Sequence, residues 1–347
     1  MDFKKRLEFG NYTLKFGERK VLLDLFDEIV MPSFNERRYI RHLKGKGDYF
    51  FLYTKLVVLD DSKQEPVLGV SGKIIKNTKL KREQIFRPKA GIVEDISELE
   101  TAPSSTFLLI LNTHRLILCK EVHGAPTIQN FQSTSQYCLK KMHKEFIDHK
   151  YESAKSARKE NPDLNRVTKK KLLEEYPNPE LRITPLSDKH TLKSFIDRLE
   201  HIDRLSIKLL PTNKEDIDND DFWSDFGRRR EEMNSKSAKV DFSNPKEGLA
   251  RDKVYEQASS ASGLGNSEIK LKGHDSEGDT IRGSNDDFIL TVELDDLPKN
   301  AELAANIKYS QFKHLVNAEV ISLPQITAEV IDKVKDIFDR LKDGIFF

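Results

Sequence analysis

The chain has 347 residues, of which 37% are hydrophobic and 33% are charged. Its 58 Lys and Arg residues almost balance its 57 Asp and Glu residues, so no chain-wide positive charge attracts a polyanion. The length suggests about two domains, and the strong apolar runs exclude a disordered chain.

The first region, residues 1–175, has the pattern of a helix and an antiparallel sheet. Apolar residues recur at helical spacing over 21–34, and Pro32 ends this predicted helix. Alternating and aromatic segments around a Gly-bearing turn predict a β-hairpin over 36–56, and a similar pattern predicts a second hairpin over 105–122. We therefore expect a globular α+β domain.

The second region, residues 182–296, predicts a smaller α+β domain of ferredoxin-like type. The strand pattern "RITPL", a helix from Asp188 and the strand pattern "RLSIKLLPT" form a β-α-β unit. "SEIKLKGHD" and "DDFILTVELDD" add strand patterns. Residues 300–347 predict two further helices, and we expect them to pack back on the first domain.

Two cysteines, Cys119 and Cys138, have no partners at zinc-finger spacing, so we expect no metal or cofactor and a reducing compartment. The first ten residues lack the apolar core of a signal peptide. The longest apolar runs are far shorter than the roughly 20 residues of a membrane helix. These features predict a cytoplasmic protein.

Arg37 and His42 have the R-x₄-H spacing of helical ribonucleases, which need both side chains at one scissile phosphate. Pro32 ends the helix before this motif, and residues 38–43 alternate as in a strand. An odd offset on a strand places two side chains on opposite faces. The pattern therefore favours a structural hairpin over a nuclease site.

Glu268 and Lys270 match the E-x-K element of metal-dependent nucleases, in which an Asp and a Glu hold the cation. Asp252 precedes them by sixteen residues, but in a helical pattern. This short motif is frequent in charged proteins, so a solvated strand face is the competing interpretation.

Clustered positive charge is the strongest functional pattern. Residues 73–89 hold seven Lys or Arg and one Glu, and residues 138–171 hold eleven Lys or Arg and five Asp or Glu. Arg228, Arg229 and Arg230 are consecutive, and Lys270, Lys272 and His274 alternate along one strand. Such clusters predict a sequence-independent polyanion surface, against the alternative of solvated faces.

Two segments resemble the RexA-type phage-exclusion proteins and their anti-phage relatives. One is the hairpin "RYIRHLKGKGDYFFLYTKL", and the other is "SEIKLKGHDSEGDTI", with Ser267, Glu268, Lys272, Asp275 and Asp279 at the positions of that family's strand and turn. "STFLLILNTHRLILCKEVHGAP" is a weaker third similarity. The three segments occur in the same order and cover well under a quarter of the chain.

The resemblance implies a cytosolic, non-enzymatic homodimer that binds double-stranded DNA without strong sequence preference. It also implies that 182–296 is a mobile domain and that a membrane protein encoded nearby acts as partner in phage exclusion. The family's two basic positions correspond to Lys272 and His274, and His274 departs from a permanent cation. The segments 138–182 and 212–262 have no counterpart in the family.

The leading hypothesis is thus a DNA-binding sensor or regulator in anti-phage defence, with Lys270, Lys272, His274 and Arg228 to Arg230 as candidate contacts and no catalytic residue. The first alternative is a nuclease effector of a defence system, metal-dependent or of the helical R-x₄-H type. The second is a scaffold that binds only protein.

Overall fold

A computed structural model describes residues 3–62, 64–210, 213 and 221–344, and it confirms a mixed α+β fold with two antiparallel sheets. The larger sheet has the strand order β14-β1-β8-β7-β5-β4-β3, with β2 and β9 also paired to β1, and β6 paired to β5. Its strands are β1 (Lys5–Phe16), β2 (Lys20–Val21), β3 (Arg41–Leu43), β4 (Gly47–Asp60), β5 (Val67–Arg87), β6 (Gly91–Thr101), β7 (Ser104–Ile110), β8 (Arg115–Lys120), β9 (Pro179–Pro185) and β14 (Thr291–Leu294).

Both predicted hairpins of the first region are confirmed. β3 pairs with β4 across the turn at Lys44–Lys46, and β7 pairs with β8 across the turn that contains His114. The predicted helix over 21–34 is instead three short turns: a 3₁₀ segment at Leu22–Leu25, a π-helical segment at Phe26–Val30 and α1 at Met31–Ser33. Pro32 lies in the first turn of α1, where its missing N–H costs nothing.

Helices cover both faces of the large sheet. One face packs on α2 (Ile128–Glu160), α3 (Lys169–Glu175) and α8 (Ala328–Lys342), around an aromatic cluster that contains Phe34, Phe51, Phe107 and Phe131. The other face packs on α7 (Ala301–Asn317) through Ala304, Ala305 and Phe312. In β1, Leu7 and Phe9 belong to the cluster on the α7 side, and Tyr12, Leu14 and Phe16 belong to the cluster on the α2 side. The odd and even positions thus face opposite sides, as the two-residue strand period requires.

The smaller sheet has the order β11-β10-β12-β13, with all pairings antiparallel. Its strands are β10 (His201–Leu209), β11 (Ala238–Ser243), β12 (Ser267–His274) and β13 (Thr280–Ser284). One face packs on a separate apolar cluster from α4 (Lys189–Asp197), α5 (Asp221–Glu232) and α6 (Arg251–Ser262), with Leu192, Trp223 and Val254 buried.

The predicted β-α-β unit spans both sheets, which corrects that interpretation. β9 pairs with β1 in the large sheet over Gly10–Phe16, whereas β10 lies in the small sheet. β14 likewise pairs with β1, at Lys5–Glu8. The region 182–296 therefore begins and ends in the large sheet, because the long β1 strand has an open edge that both segments fill.

The chain enters and leaves the small sheet at one place. Ser187 and Ile289 form an isolated antiparallel bridge, and the backbone N–H of Asp188 donates to the carbonyl of Phe288 at 2.7 Å. The backbone N–H of Leu290 donates to the carbonyl of Leu186 at 2.8 Å.

Asn213 joins the two parts at a second point. Its side-chain amide donates to the carbonyl of Tyr12, and its side-chain oxygen accepts from the N–H of Leu14, each at 3.0 Å and buried. These are the β1 backbone groups beyond the point where pairing with β8 ends at Asn11. The side chain thus replaces a missing strand partner.

We expect Asn213→Ala to lower the free energy of unfolding by about 2 kcal/mol, because it leaves two buried backbone groups of β1 unpaired. Urea unfolding would measure this change, with Asn165→Ala, at an exposed loop position, as the control. Equal stability of the two variants would contradict a joining role for Asn213.

Candidate nucleic-acid interface

The small sheet has one face that no described helix covers. Because neighbours across antiparallel strands share a face, the pairing register identifies the side chains on it. We call this the open face, and it comprises His201, Arg204, Ser206 and Lys208 of β10, Lys239, Asp241 and Ser243 of β11, Glu268, Lys270, Lys272 and His274 of β12, and Thr280, Arg282 and Ser284 of β13.

Three cations lie side by side across the middle of the open face. Arg204, Lys272 and Arg282 occupy directly opposite positions on β10, β12 and β13. Adjacent strands lie about 4.8 Å apart, so the row spans about 10 Å. Like charges at opposite positions destabilise a sheet. Within the described part of the chain, neither Arg204 nor Arg282 has an ion-pair partner.

Lys272 is anchored by the buried carboxylate of Asp203, whose side chain is 6% exposed. The Lys272 ammonium lies 3.0 Å from one carboxylate oxygen, and His274 Nδ1 lies 3.3 Å from the other. Burial opposes the charged form of Asp203, but the hydrogen bond from Lys272 and the nearby His274 hold its pKa below the usual value. Two of the predicted contact residues therefore share one carboxylate.

Lys270 is paired with Glu268 at 2.9 Å, and Glu268 also accepts from Arg182 of β9 at 2.9 Å. Burial raises the pKa of Glu268, but the two cations outweigh it and lower the pKa overall. Both residues of the E-x-K motif are thus engaged in structural ion pairs, and Lys270 still has an exposed ammonium.

The three consecutive arginines lie on α5, whose Trp223 packs on the helix-covered side of the sheet. Arg228 pairs with Asp225 and with Glu232 at 2.6 Å, and Arg229 pairs with Asp225 at 2.7 Å. Arg230 is buried and donates to the carbonyl of Leu210. We therefore leave Arg230 out of the proposed surface, because its guanidinium fixes the end of β10.

The cluster over 73–89 lies mostly on a two-stranded ribbon formed by the outer parts of β5 and β6. The facing strand neutralises much of it: Lys79 and Lys81 pair with Glu98 at 2.9 and 3.4 Å, and Arg82 pairs with Asp95 at 2.8 Å. This segment is therefore much less basic in three dimensions than along the sequence.

Arg37 and His42 do not occupy one strand, so the opposite-face argument was wrong. β3 begins only at Arg41, and Arg37 lies in the preceding turn with φ of 51°. The Arg37 guanidinium lies 5.6 Å from the ring of Phe50, and His42 contacts Asp48 at 2.8 Å. Phe50 and Asp48 share a face of β4, so both residues lie on that side.

The observed geometry differs from the geometry that each of the two nuclease hypotheses requires. Arg37 and His42 are positioned by a turn and a strand, whereas the ribonuclease motif belongs to helices. Asp252 lies in the first turn of α6. Among the described residues, no group of three His, Cys, Asp or Glu side chains could hold a metal ion.

Sequence reasoning missed Arg204 and Arg282. In β10, polar residues alternate with buried apolar ones, and this pattern could have identified Arg204 as an outward-facing strand residue. The polar residues are Arg204, Ser206 and Lys208, and the buried apolar ones are Leu205 and Ile207. The position of Arg204 and Arg282 beside Lys272 depends on strand pairing over long sequence separations, which alternation does not encode.

Comparisons with known proteins do not assign this chain to a family. No protein-family model matches the sequence, and a search of curated proteins gives no significant match. No helix among the described residues is long and apolar enough to cross a membrane.

Proposed function

We propose that this protein binds double-stranded DNA, without strong sequence preference, through the open face of the small sheet. The row Arg204–Lys272–Arg282 is the observation that supports it, because three adjacent cations without enough acidic partners are stabilised by an anion. Lys270 extends the positive surface along β12, about 7 Å from Lys272.

The composition of the open face favours a duplex over a single strand. Proteins that bind single-stranded RNA on a sheet stack bases on aromatic side chains. Among the open-face residues, only His201 and His274 have rings, and both imidazoles lie beside the Asp203 carboxylate. Phosphate contacts without base stacking suit a duplex, whose bases are already stacked.

The role we propose is non-enzymatic, as a sensor or regulator in cytoplasmic anti-phage defence. This role rests on the resemblance to RexA-type proteins, one of whose motifs, Ser267–Asp279, contains β12. A homodimer, a mobile small domain and a membrane-protein partner belong to the same proposal and rest on the same resemblance.

A salt titration tests the DNA-binding proposal. We expect a random-sequence duplex to bind at low salt, with the open face contributing between about −2 and −4 to the slope of log K against log[salt]. The lower limit counts Arg204 and Arg282, and the upper limit adds Lys270 and Lys272, which must exchange a carboxylate for a phosphate. Fluorescence anisotropy at several salt concentrations would measure the slope.

Absence of binding at low salt would contradict the proposal. The same duplex, and total RNA, incubated with Mg²⁺ should remain intact. Degradation that is lost in His42→Ala or Lys270→Ala would instead support the nuclease alternative.

A further inference from the structure

A positively charged groove, separate from the open face, lies at the C-terminal end of α2. Lys155 lies four residues after Tyr151, and Arg158 and Lys159 lie three and four residues after Lys155, so these side chains are on one side of the helix. The chain then turns back over 161–168, and Arg166 of this loop lies on the groove's other side. The groove has a volume of about 400 Å³.

Few acidic side chains neutralise this groove. Lys155 lies 3.5 Å from Glu152, whereas Arg158, Lys159 and Arg166 have no ion-pair partner among the residues that the structure describes. Between positions 150 and 171 there are eight Lys or Arg and three Asp or Glu. The positive charge of the 138–171 cluster is therefore retained in three dimensions.

Helix electrostatics accounts for only part of this arrangement. Cations in the last turn stabilise the negative end of a helix, which explains Arg158 and Lys159. Lys155 lies before that turn, and Arg166 lies outside the helix. Their convergence on one groove needs a different reason.

We propose that this groove is a second contact for the sugar-phosphate backbone of duplex DNA. Side chains three and four positions apart on a helix are about 5–6 Å apart, so the cations form a row that can follow successive phosphates. The inference rests on the proposed function only in naming duplex DNA as the polyanion.

The shape of the groove favours a polymer over a free nucleotide. Small-molecule sites enclose most of their ligand. Here Pro162 and Arg166 on the loop side are exposed, as are the helix cations. Exposed Lys170 and Lys171 continue the positive charge beyond the groove. An open row of cations suits a ligand that is itself extended.

Arg166→Gln is the first test, because Arg166 lies outside α2 and its loss should leave the helix intact. We expect a roughly tenfold loss of duplex affinity at 0.1 M salt and a salt slope shallower by about 1. Lys155→Gln should act in the same direction. Lys193→Gln, at an exposed position of α4, removes the same charge elsewhere and should bind as the unmodified protein does.

The outcomes separate this site from the open face. If Arg166→Gln and Lys155→Gln both bind as Lys193→Gln does, the groove is not a DNA contact. If these two variants weaken binding while open-face variants do not, the groove is a DNA contact and the proposed function of the open face is wrong. If ATP displaces the duplex from the unmodified protein but not from Arg166→Gln, the groove is a nucleotide site and the inference fails.

Discussion

Arg204→Glu combined with Arg282→Glu should lower duplex-DNA affinity on the order of 100-fold at 0.1 M salt. Each lost phosphate contact removes close to one unit from the salt slope, which corresponds to roughly tenfold at this concentration. These two arginines have no described ion-pair partner within 4 Å, although Asp241 is close enough to Arg204 to interact with its charge, so both guanidinium groups are available to DNA. Anisotropy titrations at several salt concentrations would measure both changes.

The same double variant should be no less stable than the unmodified protein. It replaces a row of three cations by a Lys272 with an acidic neighbour on each side, and opposite charges across strands are favourable. Loss of binding together with unchanged or raised stability would show that the row serves a ligand and not the fold.

Lys193→Glu with Lys335→Glu is the matched control, since both lysines are exposed on helices and the change in net charge is equal. If this control weakens binding as much as the open-face variant does, affinity follows net charge alone. The open face would then have no special role.

Lys308→Met should stabilise the protein by about 3 kcal/mol near pH 7. Lys308 has no exposed surface, lies on the face of α7 that packs on the large sheet, and its ammonium has no hydrogen-bond partner among the described groups. Burial lowers its pKa from 10.5 to about 8, although the nearby Cys119 and Glu121 oppose the shift. Each unit of pKa corresponds to about 1.4 kcal/mol.

The pH dependence follows from the direction of this shift. Between pH 8 and 10.5 the unfolded chain holds a proton on Lys308 that the folded chain has released. Stability therefore rises with pH across this window and is lowest, for this group, below about pH 8. In Lys308→Met that rise should disappear, so the two proteins should converge above pH 10.5.

Urea unfolding of both proteins at several pH values would measure this difference, with the exposed Lys335→Met as control. A Lys308→Met variant that is less stable at pH 7 would contradict the reasoning. It would show that the ammonium has a partner worth more than its burial costs.

Local pattern predicted much of this fold, because hairpins and amphipathic helices are specified by neighbouring residues. The hairpin over 36–56 and the C-terminal helix with Val334 and Ile337 on its buried face are examples. The membership of β9 and β14 in the large sheet was not predictable, since strand alternation does not say which distant strand a segment will join.

In the candidate interface, too, some residues could be predicted from local pattern, and others depend on the pairing of distant strands. Lys270 and Lys272 could be found because they alternate on one strand. Arg204 and Arg282 come beside them only through the pairing of β10 and β13 with β12. The burial of Arg230 depends on α5 packing against the end of β10, a contact that a run of three arginines does not reveal.

The bridge between Ser187 and Ile289 makes the small sheet and its helices an insertion whose two ends are neighbours. Replacing this insert by a short turn would leave the pairing of β9 and β14 with β1 in place, but it would remove the two hydrogen bonds between Asn213 and the β1 backbone. The architecture is thus that of a host domain carrying an inserted module. The proposed open face belongs to the module, whereas the α2 groove belongs to the host, so deletion of the module would remove the open face and leave the residues of the groove in the chain.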